Sequence, residues 1–160
     1  MKKILLVGSG GREHAIADAI KRSKQETSIF TFATTRNPGI DKLSEAYFLT
    51  RSLNNFEDLK FFVEETKPDF AIIGPEDPLA NGIVDFLETL NIPSVGPNKL
   101  NAQIESSKDF TRSLVEKYRI NANPKYKTFT SQDGIKEFMV ELESQFVVKY
   151  DSLKGMEILD

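Results

Sequence analysis

The segment Gly8-Ser9-Gly10-Gly11-Arg12-Glu13-His14 follows a short apolar run, Ile4 to Val7, and contains the chain's one histidine. Glycines between a strand and a helix leave backbone N–H groups at a helix N-terminus, whose positive dipole end suits a phosphate or a carboxylate. Arg12 adds a planar fork of donors for an oxyanion. A dinucleotide fingerprint, G-x-G-x-x-G, requires a third glycine and an acid at the end of the next strand. Gly8 and Gly10 fit, but Glu13 stands in the third place, and the next apolar run ends Phe32-Ala33-Thr34-Thr35 without an acid. The motif points to an anion and away from a nicotinamide or flavin dinucleotide. The same glycines would also serve a simple tight turn. His14, in the first turn of a helix, is of a type that packs or hydrogen-bonds more often than it catalyses.

Two further turns carry similar chemistry. Arg36-Asn37-Pro38-Gly39 combines a cation, a carboxamide and a proline–glycine bend. Gly74-Pro75-Glu76-Asp77-Pro78 places Glu76 between prolines, which aims its carboxylate and suits it to ribose hydroxyls or an amine. Each is equally compatible with an ordinary solvated loop. Farther along, Lys149 follows the apolar run Phe146-Val147-Val148. Alone, Lys108 and Lys149 read as surface lysines; as a pair they suit phosphate coordination.

These residues need a scaffold. Residues 3–7 are almost continuously apolar, as a strand covered on both faces must be. Residues 28–33, 47–49, 69–73 and 92–95 read as further strands, and 12–23, 56–65 and 79–90 as helices. This alternation predicts an α/β fold with a doubly wound parallel sheet over about residues 1–97. Such sheets bind ligands at the carboxyl ends of their strands, where all three turns fall. Beyond residue 97 the pattern predicts a helix over 104–118 capped by Ser106 or Ser107, a linker, a strand over 125–129, a helix over 132–143 and a strand over 145–149.

Composition excludes several classes. The 160 residues are 39% hydrophobic and 28% charged, enough for one domain or one and a half with a real core. The net charge of −3, with both signs interspersed, carries no nucleic-acid footprint. The absence of cysteine removes disulfides, thiolate metal sites and cysteine nucleophiles. No apolar stretch matches a membrane span, and Ile4 to Val7 is too short for a signal peptide. A cytoplasmic location is expected, with no nucleic-acid or membrane partner.

Five stretches taken together resemble one family. They are VGSGGREHAI at 7–16, NPG at 37–39, IIGPEDPLANGIVD at 72–85, VGPNKLNAQIESSKDF at 95–110 and FVVKYDSL at 146–153. In this order they resemble the N-terminal part of the phosphoribosylamine–glycine ligase (glycinamide ribonucleotide synthetase) family of ATP-grasp enzymes. The resemblance implies a Rossmann-like pre-ATP-grasp domain over 1–103, a linker helix region over 104–123 and the beginning of an ATP-grasp α+β subdomain over 124–160. It implies that Gly10, Gly11, Arg12, Glu13, Asn37, Gly39, Gly74, Pro75 and Glu76 surround 5-phosphoribosylamine, and that Lys108 and Lys149 contact the phosphates of ATP. The family's reaction joins glycine to the amine in de novo purine synthesis, through glycyl phosphate, with magnesium or manganese as the phosphate clamp.

The sequence departs from the family after Lys149. A glycine-rich loop of the form K-A-D-G-L-A-x-G-K-G-V is replaced by Lys149-Tyr150-Asp151-Ser152-Leu153-Lys154-Gly155-Met156-Glu157. The family's acidic metal ligands and most of its ATP site lie in a part with no counterpart here. The expectation is a truncated form that keeps the amine-substrate half and lacks independent ligase activity. Two alternatives stay open. One is a sugar-phosphate- or nucleotide-binding module, or a subunit completed by a separate chain. The other is a nicotinamide-dependent oxidoreductase, disfavoured by Glu13.

Overall fold

The computed structural model describes residues 1–121, 123–143 and 145–151, which divide into two units after Ala102. The first unit is built on strands β1 (Lys2–Val7), β2 (Thr27–Ala33), β3 (Ala46–Leu49), β4 (Phe70–Ile73) and β5 (Ser94–Val95). Its helices are α1 (Gly11–Lys21), α2 (Pro38–Asp41), α3 (Phe56–Thr66), α4 (Glu76–Asn81) and α5 (Ile83–Thr89). The strands are all parallel, in the order β3-β2-β1-β4-β5, so the winding reverses between β1 and β4. This is the doubly wound sheet expected from the sequence.

The apolar run of β1 is explained by burial on both faces. Leu5 and Val7 join a core with Phe32, Leu59 and Phe62, Val63, Ile83 and Leu87, beneath α3 and α5. Leu6, pointing the opposite way as the pleat requires, joins Ala17, Ile29 and Ile40 beneath α1 and α2. Two helix layers thus hold the central strand, and its carboxyl end opens directly into the glycine turn.

Several boundaries differ from the sequence expectation. Residues 79–90 are not one helix. The helix begins at Glu76, with Pro75 as its cap, and breaks at Gly82, whose φ of 92° no continuing helix allows. The turn at 37–41 is a short helix, because the Asn37 side chain accepts the N–H groups of Gly39 and Ile40 and Pro38 takes the first helical position.

The second unit carries α6 (Lys99–Ser106, which starts just before the division), α7 (Lys108–Lys117) and α8 (Ile135–Glu141). The expected single helix over 104–118 is interrupted at Ser107, which leaves helical geometry (φ −126°, ψ 117°) and caps α7 by accepting the N–H of Phe110. The strands expected over 125–129 and 145–149 do not form among the described residues. Their composition suits strands, but a strand exists only through a ladder with a neighbour, and neither has one here. Residues 122, 144 and 152–160 lie outside the described set, including the part of the departing stretch from Ser152 onward.

Candidate functional site

Because β2, β1 and β4 are adjacent and parallel, the turns that follow them lie side by side at one sheet edge. The ladders run into the turns: Gly8 donates its N–H to the carbonyl of Phe32 (2.9 Å), and Gly74 donates to that of Val7 (3.1 Å). The turn after β4 reaches the turn after β1 through Arg12. Its Nη1 donates to the carbonyl oxygen of Gly74 at 2.7 Å, and its Nη2 lies 4.0 Å from Glu76 Oε2. Both side chains remain open to solvent, at 67% and 46% exposure, so the pair is weak and exchangeable.

The turn after β2 reaches the same place from the other side. Asn37 Nδ2 donates to the carbonyl of Ser9 (2.9 Å), and the hydroxyls of Ser9 and Thr35 pair at 2.8 Å. Tyr47 completes the tie. Its hydroxyl donates to the carbonyl of Thr35 (2.9 Å) and accepts the N–H of Asn37 (3.1 Å). Ser9, Thr35 and Tyr47 were not singled out from the sequence. Ser9 was visible within the glycine turn, whereas Tyr47 lies on another strand and no spacing links it to Asn37.

Glu13, which the resemblance implies lies in the 5-phosphoribosylamine pocket, sits between the turns after β1 and β4. It is 4% exposed and lies beneath the loops. Its Oε2 accepts the N–H of Gly10 at 2.6 Å, closing the first turn of α1 on itself. Its side chain fills the space between the two turns. A Cβ on Gly8 would stand 2.9 Å from Glu13 Cγ and equally close to the Pro75 ring, and a Cβ on Gly74 would overlap Glu13 Oε1. Gly8 and Gly74 are therefore glycines because Glu13 occupies their missing side-chain volume. The residue that spoils the dinucleotide fingerprint also plugs the crevice between β1 and β4 where a dinucleotide would lie.

What remains outward is a set of oxyanion and hydroxyl partners. A helix leaves its first N–H groups without intrahelical acceptors. Glu13 takes that of Gly10, and those of Gly11 and Arg12 stand at the edge, with open space around the Gly11 Cα. The Arg12 guanidinium and Glu76 carboxylate flank them. The Asn37 carboxamide is spent on Ser9, Gly39 and Ile40, which makes it a brace for the loop. Gly39 meets the imidazole of His14, where any Cβ would overlap the ring. His14 is exposed and can turn away. Gly39→Ala is therefore expected to shift the His14 ring resonances in an NMR spectrum while moving the melting temperature by no more than about 4 °C.

Lys108 and Lys149 belong to the second unit. Lys108 opens α7, and Lys149 lies in the exposed segment 145–150. Among the described residues no group of three histidine, aspartate or glutamate side chains could hold a metal ion, and no helix is long and apolar enough to cross a membrane.

Residues 2–105 match the family model described as phosphoribosylglycinamide synthetase, N domain. Among curated proteins, the phosphoribosylamine–glycine ligase of Methanocaldococcus jannaschii is 46% identical over 142 residues, covering 89% of this chain and 30% of its own length. That of Methanococcus maripaludis strain S2 is 44% identical over 160 residues, covering 96% and 35%. The chain thus spans about a third of the length of the curated relatives it matches. In fold it is similar to an N5-carboxyaminoimidazole ribonucleotide synthetase solved as an ADP complex, with a TM-score of 0.71 at 17% identity, covering 88% of this chain and 35% of that one. Phosphoribosylglycinamide synthetase from Anaerococcus prevotii gives a TM-score of 0.61 at 17% identity, covering 88% and 34%.

Proposed function

The chain belongs to the phosphoribosylglycinamide synthetase N-domain family, and from that premise we propose that its first unit holds 5-phosphoribosylamine for ligation to glycine in purine synthesis. The observation that carries this reading is the edge where the turns after β2, β1 and β4 meet, with Arg12 bridging to Gly74 and Glu76. The exposed N–H groups of Gly11 and Arg12, with the Arg12 guanidinium, supply donors to the phosphorylated sugar. Glu76 accepts from ribose hydroxyls and leaves the amine outward. Gly10, Gly74 and Pro75 shape the turns, Asn37 and Gly39 brace the loop after β2, and Glu13 sets the spacing beneath them.

In the complete reaction ATP phosphorylates the glycine carboxylate, the amine attacks the acyl carbon, and phosphate leaves; ADP is the other product. The protein's part is positioning and neutralisation of charge. The second unit, from about residue 104, is assigned to the nucleotide, with Lys108 and Lys149 on its phosphates. Magnesium or manganese, when bound, spreads the charge of the transferring phosphoryl group. The described residues offer it no donor set, so no step is assigned through it. A cytoplasmic setting fits this chemistry.

The test is calorimetric titration with ribose 5-phosphate, a stable stand-in for the labile amine. Saturable binding is expected, weakened at least about tenfold by Arg12→Ala, with the melting temperature held. No heat of binding at millimolar ligand overturns the assignment.

One observation favours a second reading, a substrate-binding subunit that catalyses only when completed by further polypeptide. None of the described residues from 103 onward is buried, whereas an ATP-binding domain needs a core. Steady glycinamide ribonucleotide formation by the chain alone, supplied with ATP, magnesium, glycine and phosphoribosylamine, would rule it out.

A further inference from the structure

The first turn of α7 is a junction within the second unit. Both carboxylate oxygens of Asp151 lie 3.1 Å from Ser107 Oγ, which donates to them, and Oδ1 accepts the N–H of Asp109 at 3.1 Å. Ser107 Oγ at the same time accepts the N–H of Phe110 at 3.0 Å, so one hydroxyl caps the helix and holds the incoming carboxylate. The Asp109 carboxylate accepts from the hydroxyl of Thr128, which ties a second segment to the same turn. Partial burial works against the charged form of Asp151. Hydrogen bonds from Asp109, Ser107 and the Lys108 backbone, with the Lys108 charge, nevertheless hold its carboxyl below the usual carboxylate range.

This docking has a geometric consequence for Lys149. Two residues of extended chain reach at most ~7 Å, so fixing Asp151 on the helix end confines the Lys149 backbone to the neighbourhood of Lys108. We propose that Asp151 is a positioning residue for the nucleotide phosphates: by seating on the first turn of α7 it brings Lys149 to the helix end where Lys108 stands. The proposal rests on the reading of these two lysines as ATP contacts.

The chain is titrated with ATP by displacement of a fluorescent ATP analogue, and amide hydrogen exchange is followed over residues 108–110. Asp151→Ala is expected to raise the ATP dissociation constant about tenfold and to speed exchange at Lys108 and Asp109. Asp151→Asn, whose amide oxygen still accepts, is expected to stay within about threefold of wild type. Ser107→Ala is expected to resemble Asp151→Ala. If Asp151→Ala binds ATP as wild type does while Lys149→Ala loses it, the positioning role is overturned. Unchanged exchange in Asp151→Ala overturns the docking itself. If the wild-type chain binds no ATP, Asp151 has no nucleotide to position in this chain and its proposed role is overturned, whatever the exchange shows.

Discussion

Gly74→Val is expected to lower the melting temperature of the first unit by more than about 10 °C and to abolish ribose 5-phosphate binding. The new side chain would enter volume held by Glu13 Oε1. Glu13 cannot yield cheaply. It is 4% exposed, set between Gly8 and Gly74, and its Oε2 holds the Gly10 N–H at 2.6 Å. Overpacking of this kind costs about 1–3 kcal/mol. Detaching a buried carboxylate from its donor adds about 1–3 kcal/mol. A unit of this size loses about 4–8 °C per kcal/mol. Binding fails with it, because Arg12 reaches across to the carbonyl of the same Gly74. Thermal denaturation and the calorimetric titration read the two effects. A Gly74→Val protein with wild-type melting temperature and affinity would show that Glu13 does not hold the turns apart. Gly39→Ala is milder because, although both glycines face an overlapping side chain, only Glu13 is buried.

Phe32→Ala carries the largest effect on stability alone, about 3–5 kcal/mol. Phe32 is fully buried and stacks on Phe48 at 5.7 Å and Phe62 at 6.4 Å between ring centroids. Its loss opens a cavity between β2, β3 and α3. It stands next to the end of β2, and its carbonyl receives the N–H of Gly8, so the damage falls directly beneath the glycine turn. Urea unfolding followed by circular dichroism is expected to show a midpoint shifted down with an unchanged slope. A shift worth less than about 1 kcal/mol would mean that the aromatic cluster repacks.

The sheet was legible in the sequence because an inner parallel strand must be apolar on both faces, and residues 4–7 are. The shared edge of the three turns was legible because glycine and proline at strand ends mark turns, and parallel topology puts successive strand ends on one side. Other features depend on information that local patterns lack. A helix pattern tolerates glycine, so the break at Gly82 is decided by its left-handed backbone and not by residue type. The inward course of Glu13 was hidden because the usual capping-box signature begins with serine or threonine, and here the cap is Gly10. The runs at 125–129 and 145–149 have strand composition, but pairing is a property of two segments. The docking of Asp151 spans 44 residues to Ser107 and leaves no trace in spacing.

The internal carboxylate of α1 also bears on residence time. A phosphate arriving at this helix end meets a dipole that Glu13 has already partly neutralised from below. The first turn of α1 therefore attracts an anion less than a first turn without an acid does. Under the proposed function, an edge built in this way releases a phosphorylated ligand more readily than a helix end without an internal acid.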